Sequence, residues 1–300
     1  MIVFCFFLSL IHNASAEPPS ANESSYPYDM PEELWLLYEQ SSDLMLEEKI
    51  IVFSQTMMGL PYVLNGIGEG VPPDSDPMFR FDNYDCLSFV ETILALSMSK
   101  QTEDIEMIVK DLRYHGDITY KNRNHFMISQ WIPNAIEKGY LKDITKELGE
   151  VHITTKSITT KNWSRWRGRH AFHLTNEEYP TGDYLLETLT LDTAQQIMDE
   201  IPTGSIIIVV RENRDYNPIW ITHLGFVVRD TVHQKTYTKI RHATIMGNIV
   251  KENHLPWYLN YLLQFDKWPI EGILVLEPQI PPHLQNESKQ EIKTHPELPM

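Results

Sequence analysis

Two cysteines in 300 residues are too few for a disulfide framework. Cys5 lies inside the apolar run "IVFCFFLSLI" (2–11), and "NASA" (13–16) closes that run with a small-x-small pattern. Together they read as a secretory signal peptide, residues 1–16, cut after Ala16, and the composition of "EPPSANESS" fits an exposed start to a mature chain. Loss of that leader leaves Cys86 as the only thiol, so no internal disulfide forms. A cysteine-based zinc site is disfavoured too, because its several closely spaced ligands are missing. The leader is too short to span a bilayer, and no later stretch is long and apolar enough. The mature chain is therefore expected to have no integral membrane segment. Basic residues are also scarce. Lys and Arg number 25 against 41 Asp and Glu, a net charge of −16 that speaks against nucleic acid and anionic membrane as partners. No internal repeat is visible.

What is present is ordinary globular composition, with 42% hydrophobic and 22% charged residues. The length fits a single domain over 17–280 with a polar, Pro-rich tail over 281–300 expected to be flexible. Residues 31–58 carry helical spacing. "GLPYVLNGIGEGVPPDSDP" (59–77) is a long loop rich in Gly, Pro and Asp, and long loops in compact domains are usually functional. From Cys86 to Met98 apolar residues cover most of a helical circumference, which predicts a buried helix. An amphipathic helix over 102–115 follows, then one over 125–140 interrupted at Pro133. Residues 141–200 are mixed and read as an insertion with a few strands and a helix near 191–200. After that the pattern turns to β: "SIIIVV" (205–210), "THLGFVVRD" (222–230), "TYTKIRHAT" (236–244) and "EGILVLEP" (271–278). Helices first and strands later predict an α+β fold with an antiparallel sheet.

Cys86 stands where the Asp-rich run "FRFDNYD" gives way to the buried helix, with Asp82 and Asp85 as candidate caps. A helix N-terminus lowers a thiol pKa, and a nucleophile needs a base that is itself oriented by a third group. His223 in "ITHLGFVV" and His242 in "IRHAT" are the candidates, both mid-strand. Alternation places Thr222, Leu224, Phe226 and Val228 on one face and His223 beside Gly225 on the other, where glycine permits close approach. From spacing alone two readings stand. Cys86 is a small buried residue and the histidines are satisfied structural ones, or the three form a nucleophile, base and orienter.

The wording of these segments resembles the NlpC-type papain-like cysteine peptidases and amidases of bacterial cell-wall metabolism. There an Asp-Cys pair opens a buried helix, a His-hydrophobic-Gly strand follows, and then a His-Ala-Ser/Thr strand. More closely, the chain resembles the N-acetylmuramoyl-L-alanine amidase-like branch. "GLPY" (59–62) matches its Gly-x-Pro-Tyr loop, "DCLSFVE" (85–91) its "DCxTFVE", and "LRYHGDITYKNRNHFMISQW" (112–131) its "RYxxG…SRxHYF…W" block. The likeness runs over most of residues 43–276. Ser88 replaces the usual Thr and keeps the hydroxyl, Phe126 replaces a Tyr, and residues 141–200 match no motif of that branch.

The resemblance implies a papain-like fold in which the catalytic cysteine's helix packs on the sheet carrying the histidines. It implies amide hydrolysis by Cys86 as nucleophile, His223 as proton shuttle and His242 as orienter. The Cys86 backbone N–H would hold the oxyanion, and Tyr62 either helps with its hydroxyl or anchors the loop. Asp85, Ser88, Arg123 and His125 are implied substrate-binding residues; read without the resemblance, Arg123 is a solvated arginine and His125 a capping histidine. Trp131 is expected in the core. The implied partners are muropeptides, cut between the lactyl group of N-acetylmuramic acid and L-alanine. No metal or cofactor is implied, and the place of action is periplasmic or secreted, in a bacterium. Two alternatives accompany this reading: an endopeptidase cutting between γ-D-glutamate and a diamino acid, and a non-enzymatic wall-binding protein.

Overall fold

The computed structural model describes residues 27–286. The signal peptide expected over 1–16 and most of the tail expected over 281–300 lie outside the described residues.

The helical spacing of 31–58 resolves into α1 (Glu32–Gln40) and α2 (Leu46–Thr56). The long loop leads to α3 (Cys86–Met98), which begins at the cysteine. Phe89, Val90, Ile93, Leu94, Ala95 and Leu96 are all fully buried there, so α3 is a core helix, as its all-round apolar pattern requires. Full burial of side chains such as Phe89, Ile93 and Leu94 contributes roughly 1.5–3 kcal/mol each. The helix stops at Ser99, whose extended backbone closes on the Ala95 carbonyl. Next comes the amphipathic α4 (Thr102–Arg113). The helix expected over 125–140 is two pieces, a π-helical turn (Met127–Trp131) running into α5 (Ile132–Glu137). Pro133 sits in the first turn of α5, where a missing N–H is tolerated, so it starts a helix rather than interrupting one.

The remaining elements are β1 (Leu141–Asp143), α6 (Thr145–Leu148), β2 (His152–Ile158), α7 (Thr160–Arg165), β3 (Gly182–Thr188), α8 (Leu191–Ile197), β4 (Ile206–Arg211), β5 (Ile221–Val232), β6 (Lys235–Thr244), β7 (Ile249–His254), α9 (Leu255–Leu262), β8 (Ile270–Pro278) and α10 (Pro282–Asn286). Six strands form one antiparallel sheet in the order β1-β8-β4-β5-β6-β7. The architecture is thus α+β. Residues 141–200 are not one separable insertion, because β1 is an edge strand of this sheet and pairs with β8. Only β2 and β3 stand apart, as a two-stranded ribbon. The first turn of the segment expected as tail is α10, with Leu284 buried.

Two apolar clusters lie on the two faces of the sheet. Leu224, Phe226 and Val228 of β5 belong to the cluster built around α3, where Phe89 meets Phe226 edge to face at 5.9 Å. Val209, Val227 and Ile240 pack with Tyr258 and Leu259 of α9 on the other face. Thr222 does not share the face of Leu224. The register slips between Val209, opposite His223, and Val210, opposite Ile221, so a bulge turns Thr222 out to solvent.

Candidate active site

Asp85 is the cap of α3. Its Oδ1 accepts the Ser88 N–H at 2.7 Å, and its own N–H donates to Ser88 Oγ at 2.9 Å. Its Oδ2 accepts the Asn65 N–H at 3.1 Å, which ties the helix start to the loop 59–77. Ser88 is buried, so its hydroxyl serves the cap. Asp82 instead pairs with Arg80 at 2.8 Å. The cap delivers Cys86 to the first turn, where the sulfur lies beside the backbone N–H groups of Leu224, of Cys86 itself and of Leu87. Burial pushes the Cys86 thiol up to about 12, the Asp85 charge adds to that rise, and the three backbone N–H groups oppose it.

Leu224 follows His223 on β5, so the thiol sits against the strand that carries that imidazole. His223 Nε2 lies 2.7 Å from His242 Nδ1, and His242 Nε2 lies 3.0 Å from Asn253 Oδ1 on β7. These contacts fix the protons. An amide oxygen only accepts, so His242 carries its proton on Nε2 and accepts on Nδ1; His223 then donates from Nε2, leaving its Nδ1 free as an acceptor. Tyr258 on α9 backs both rings, at 6.4 Å from His223 and 5.2 Å from His242. A Cβ at Gly225 would stand 2.7 Å from His242 Cβ and 2.8 Å from the Arg241 carbonyl, so glycine is what lets His242 fold in behind His223.

Burial holds His223 well below 6.5, helped by His242 and by the Arg211 charge. Burial likewise holds His242 at about 4, with Asn253 pulling the other way, and His125 at about 4. All three stay neutral in the folded protein while their unfolded counterparts protonate as pH falls through 6.5. Stability is therefore complete above pH 6.5 and is lost below it, by up to ~1.4 kcal/mol per pH unit for each histidine. The acids with depressed pKa values, such as Asp82, Glu178 and Glu252, begin to lose stability only below about 4.5. Calorimetry at pH 7.5 and 5.0 is expected to show a clearly lower melting temperature at pH 5.0; equal values would contradict neutral burial of these rings.

The other expected site residues fall on two cavities. One, of about 270 Å³, is lined by Asn65, Asp85, Ser88, Arg123, His125 and Phe172. Arg123 is not solvated: it forms a two-pronged pair with Glu69 at 2.8 and 2.6 Å and reaches Asp74 at 2.9 Å, clamping the loop 59–77. His125 donates from Nε2 to the Tyr120 carbonyl at 2.7 Å, leaving Nδ1 as an acceptor. Phe126 packs into aromatic contact with Trp163 at 4.6 Å and Phe172 at 5.1 Å, roofing this side with residues of 160–180. The second cavity, of about 390 Å³, is lined by Tyr62, Arg211, His223, Tyr258, Tyr261 and Phe265. Burial pushes the Tyr62 phenol up to about 12, and the nearby Cys86 and Asp85 charges push the same way, so Tyr62 keeps its proton. His242 lines neither cavity; it stands fully buried behind His223. Trp131 is in the core and donates to Glu91 at 2.9 Å. Asn253, Tyr258 and Arg211 were not singled out in the sequence. Among the described residues no His, Cys, Asp and Glu cluster is arranged to hold a metal ion, and no helix is long and apolar enough to cross a membrane.

A family model described as AmiA-like, N-acetylmuramoyl-L-alanine amidase-like, matches residues 52–262. No curated protein matches the sequence. Among solved structures, a protein from Legionella pneumophila superposes with a TM-score of 0.70 at 22% identity, over 82% of this chain and 93% of that one. An N-acetylmuramoyl-L-alanine amidase from Bacteroides uniformis superposes with a TM-score of 0.61 at 17% identity, over 78% and 99%. A putative xylanase from Bacteroides fragilis gives 0.57 at 20% identity, over 75% and 98%. At these identities the likeness is one of fold.

Proposed function

Because this chain belongs to the N-acetylmuramoyl-L-alanine amidase-like family, we propose that it is a cysteine-dependent amidase that hydrolyses muropeptides at the bond between the lactyl group of N-acetylmuramic acid and L-alanine. The observation that carries this reading is the chain of contacts behind His223: with Nε2 committed to His242, and His242 to Asn253, the free Nδ1 is left to take the thiol proton. A papain-like arrangement of helix-borne thiol and strand-borne imidazole is the architecture that fits.

The reaction starts from a neutral thiol and a neutral imidazole, since burial disfavours both charges. As Sγ bonds to the carbonyl carbon, its proton passes to His223 Nδ1 and the carbonyl electrons move onto oxygen. The backbone N–H of Cys86 and the Tyr62 hydroxyl face that oxyanion. Collapse breaks the C–N bond, and His223 returns the proton to the leaving amine. Water, deprotonated by His223, then hydrolyses the thioester and frees the sulfur. A wall-derived substrate fits action outside the cytoplasm, in the periplasm or secreted, which is also where a leader over residues 1–16 would direct the chain.

Asn253→Ala removes the acceptor that holds the His242 proton on Nε2, so His223 is no longer held in one tautomer. Loss of that one hydrogen bond is expected to lower kcat roughly 10-fold with KM little changed. Steady-state kinetics check this, and an unaltered kcat would mean the tautomer chain is dispensable. The bond assignment is tested with sugar-bearing muropeptides against sugar-free stem peptides. Release of a peptide with a free L-alanine amino group, from sugar-bearing substrates only, is expected. Cleavage of the sugar-free peptide after γ-D-glutamate would make the protein the endopeptidase instead, and binding without hydrolysis a wall-binding protein.

A further inference from the structure

The second cavity contains a cation that the reaction above does not use. Arg211, at the end of β4, donates from Nε to Thr222 Oγ1 at 3.1 Å and from Nη1 to the Trp268 carbonyl at 2.6 Å. Its guanidinium lies 4.4 Å from the Phe265 ring centre and 5.4 Å from that of Trp268. A guanidinium has five N–H donors, of which these two bonds use two. Among the described residues no carboxylate pairs with it; the acidic groups that act on it are the phenols of Tyr258 and Tyr261. By contrast, Arg80, Arg113, Arg123 and Arg241 each meet an acid within 4 Å. In a chain of net charge −16, this arginine is half-buried, lines a cavity and has donors left over with no acid beside them, a combination suited to an anionic group.

Its position indicates which part of a substrate it meets. His223 lines the same cavity and must stand beside the leaving amine to protonate it, so this cavity takes the amine side of the scissile bond. Arg211 is close enough for its charge to act on His223. Ile245, Met246, Leu262 and Phe265 make much of the remaining wall apolar, so the guanidinium is where an anionic group of the peptide fits best. The bulge at Thr222 aims the hydroxyl that anchors Arg211 Nε, which ties the guanidinium to the strand carrying the base.

We propose that Arg211 binds the free α-carboxylate of the second residue of the leaving peptide and so makes the protein selective for muropeptides whose second residue is D-glutamate over those in which that α-carboxylate is a carboxamide. This rests on the amidase reading. Loss of a charge-assisted hydrogen bond corresponds to roughly 10- to 100-fold in kcat/KM. The test compares N-acetylmuramoyl-L-alanyl-D-glutamate with N-acetylmuramoyl-L-alanyl-D-isoglutamine on the intact protein. The wild type is expected to prefer the carboxylate about 10-fold or more, chiefly through KM, and Arg211→Gln to bring the two within about two-fold. Arg211→Lys, which keeps the charge and a donor for the Trp268 carbonyl, is expected to retain a reduced preference. Equal rates in the wild type would overturn the inference even if Arg211→Gln failed to fold, as would a preference that survives in a folded Arg211→Gln protein. In both cases the amidase reading stands. Hydrolysis of neither compound would overturn that reading and the inference with it.

Discussion

Cys86→Ala is expected to lower kcat/KM for muropeptide hydrolysis by about 10⁴ or more while leaving the melting temperature nearly unchanged. The size of the fall follows from the absence of a substitute. Cys86 is the free cysteine among the described residues, and Ser88, the nearest hydroxyl on α3, is buried and bonded into the Asp85 cap. The neutral fold follows from the size of the change. Cys86 is partly buried at a helix start, the change removes one sulfur atom beside three backbone N–H groups, and alanine is a good helix former. Steady-state kinetics beside circular dichroism checks both halves. A variant that keeps its activity would remove the nucleophile, and one that unfolds would make Cys86 a packing residue.

Glu91→Ala acts on the same helix through stability. The Glu91 carboxylate is fully buried and accepts Arg113 Nε at 2.8 Å and Trp131 Nε1 at 2.9 Å. Arg113 also donates to the Met78 carbonyl at 2.8 Å, so the group ties α3, α4, the π-helical turn and the loop before α3. Alanine strands a buried guanidinium and an indole N–H together, with an expected cost of ~3–5 kcal/mol. Glu91→Gln keeps acceptor geometry and loses the charge, so its cost is expected to be smaller. Urea unfolding of the two variants beside the wild type checks the order. A loss below about 1 kcal/mol in Glu91→Ala would mean that Arg113 finds water or another partner. The same motif thus carries two tasks: its first residues present the thiol, and its last anchors the helix that presents it.

The parts of this molecule that were legible in the sequence are those set by local pattern. The wrap of apolar residues from Leu87 to Met98 gave a buried helix starting at Cys86, and Asp85 was one of two candidate caps. Alternation gave β5 and β6 and brought His223 and His242 onto neighbouring strands. What escaped depends on partners far along the chain. β1 reads as part of an insertion because its partner β8 lies more than a hundred residues later. Arg123 reads as solvated because Glu69 and Asp74 are 54 and 49 residues away. The bulge at Thr222 is invisible to strict alternation, since one extra residue reverses the parity it relies on. Asn253 lies in "VKEN", a polar stretch of the edge strand β7 that looks solvent-facing, and only the fold shows it meeting His242.

The most direct measurement is mass spectrometry of the products from a defined muropeptide, N-acetylmuramoyl-L-alanyl-D-glutamate, incubated with the wild type and with Cys86→Ala. The wild type is expected to yield N-acetylmuramic acid and L-alanyl-D-glutamate, with the Cys86→Ala sample remaining intact substrate. The same two products in equal amount from both proteins, or an untouched substrate in both, would contradict a cysteine amidase.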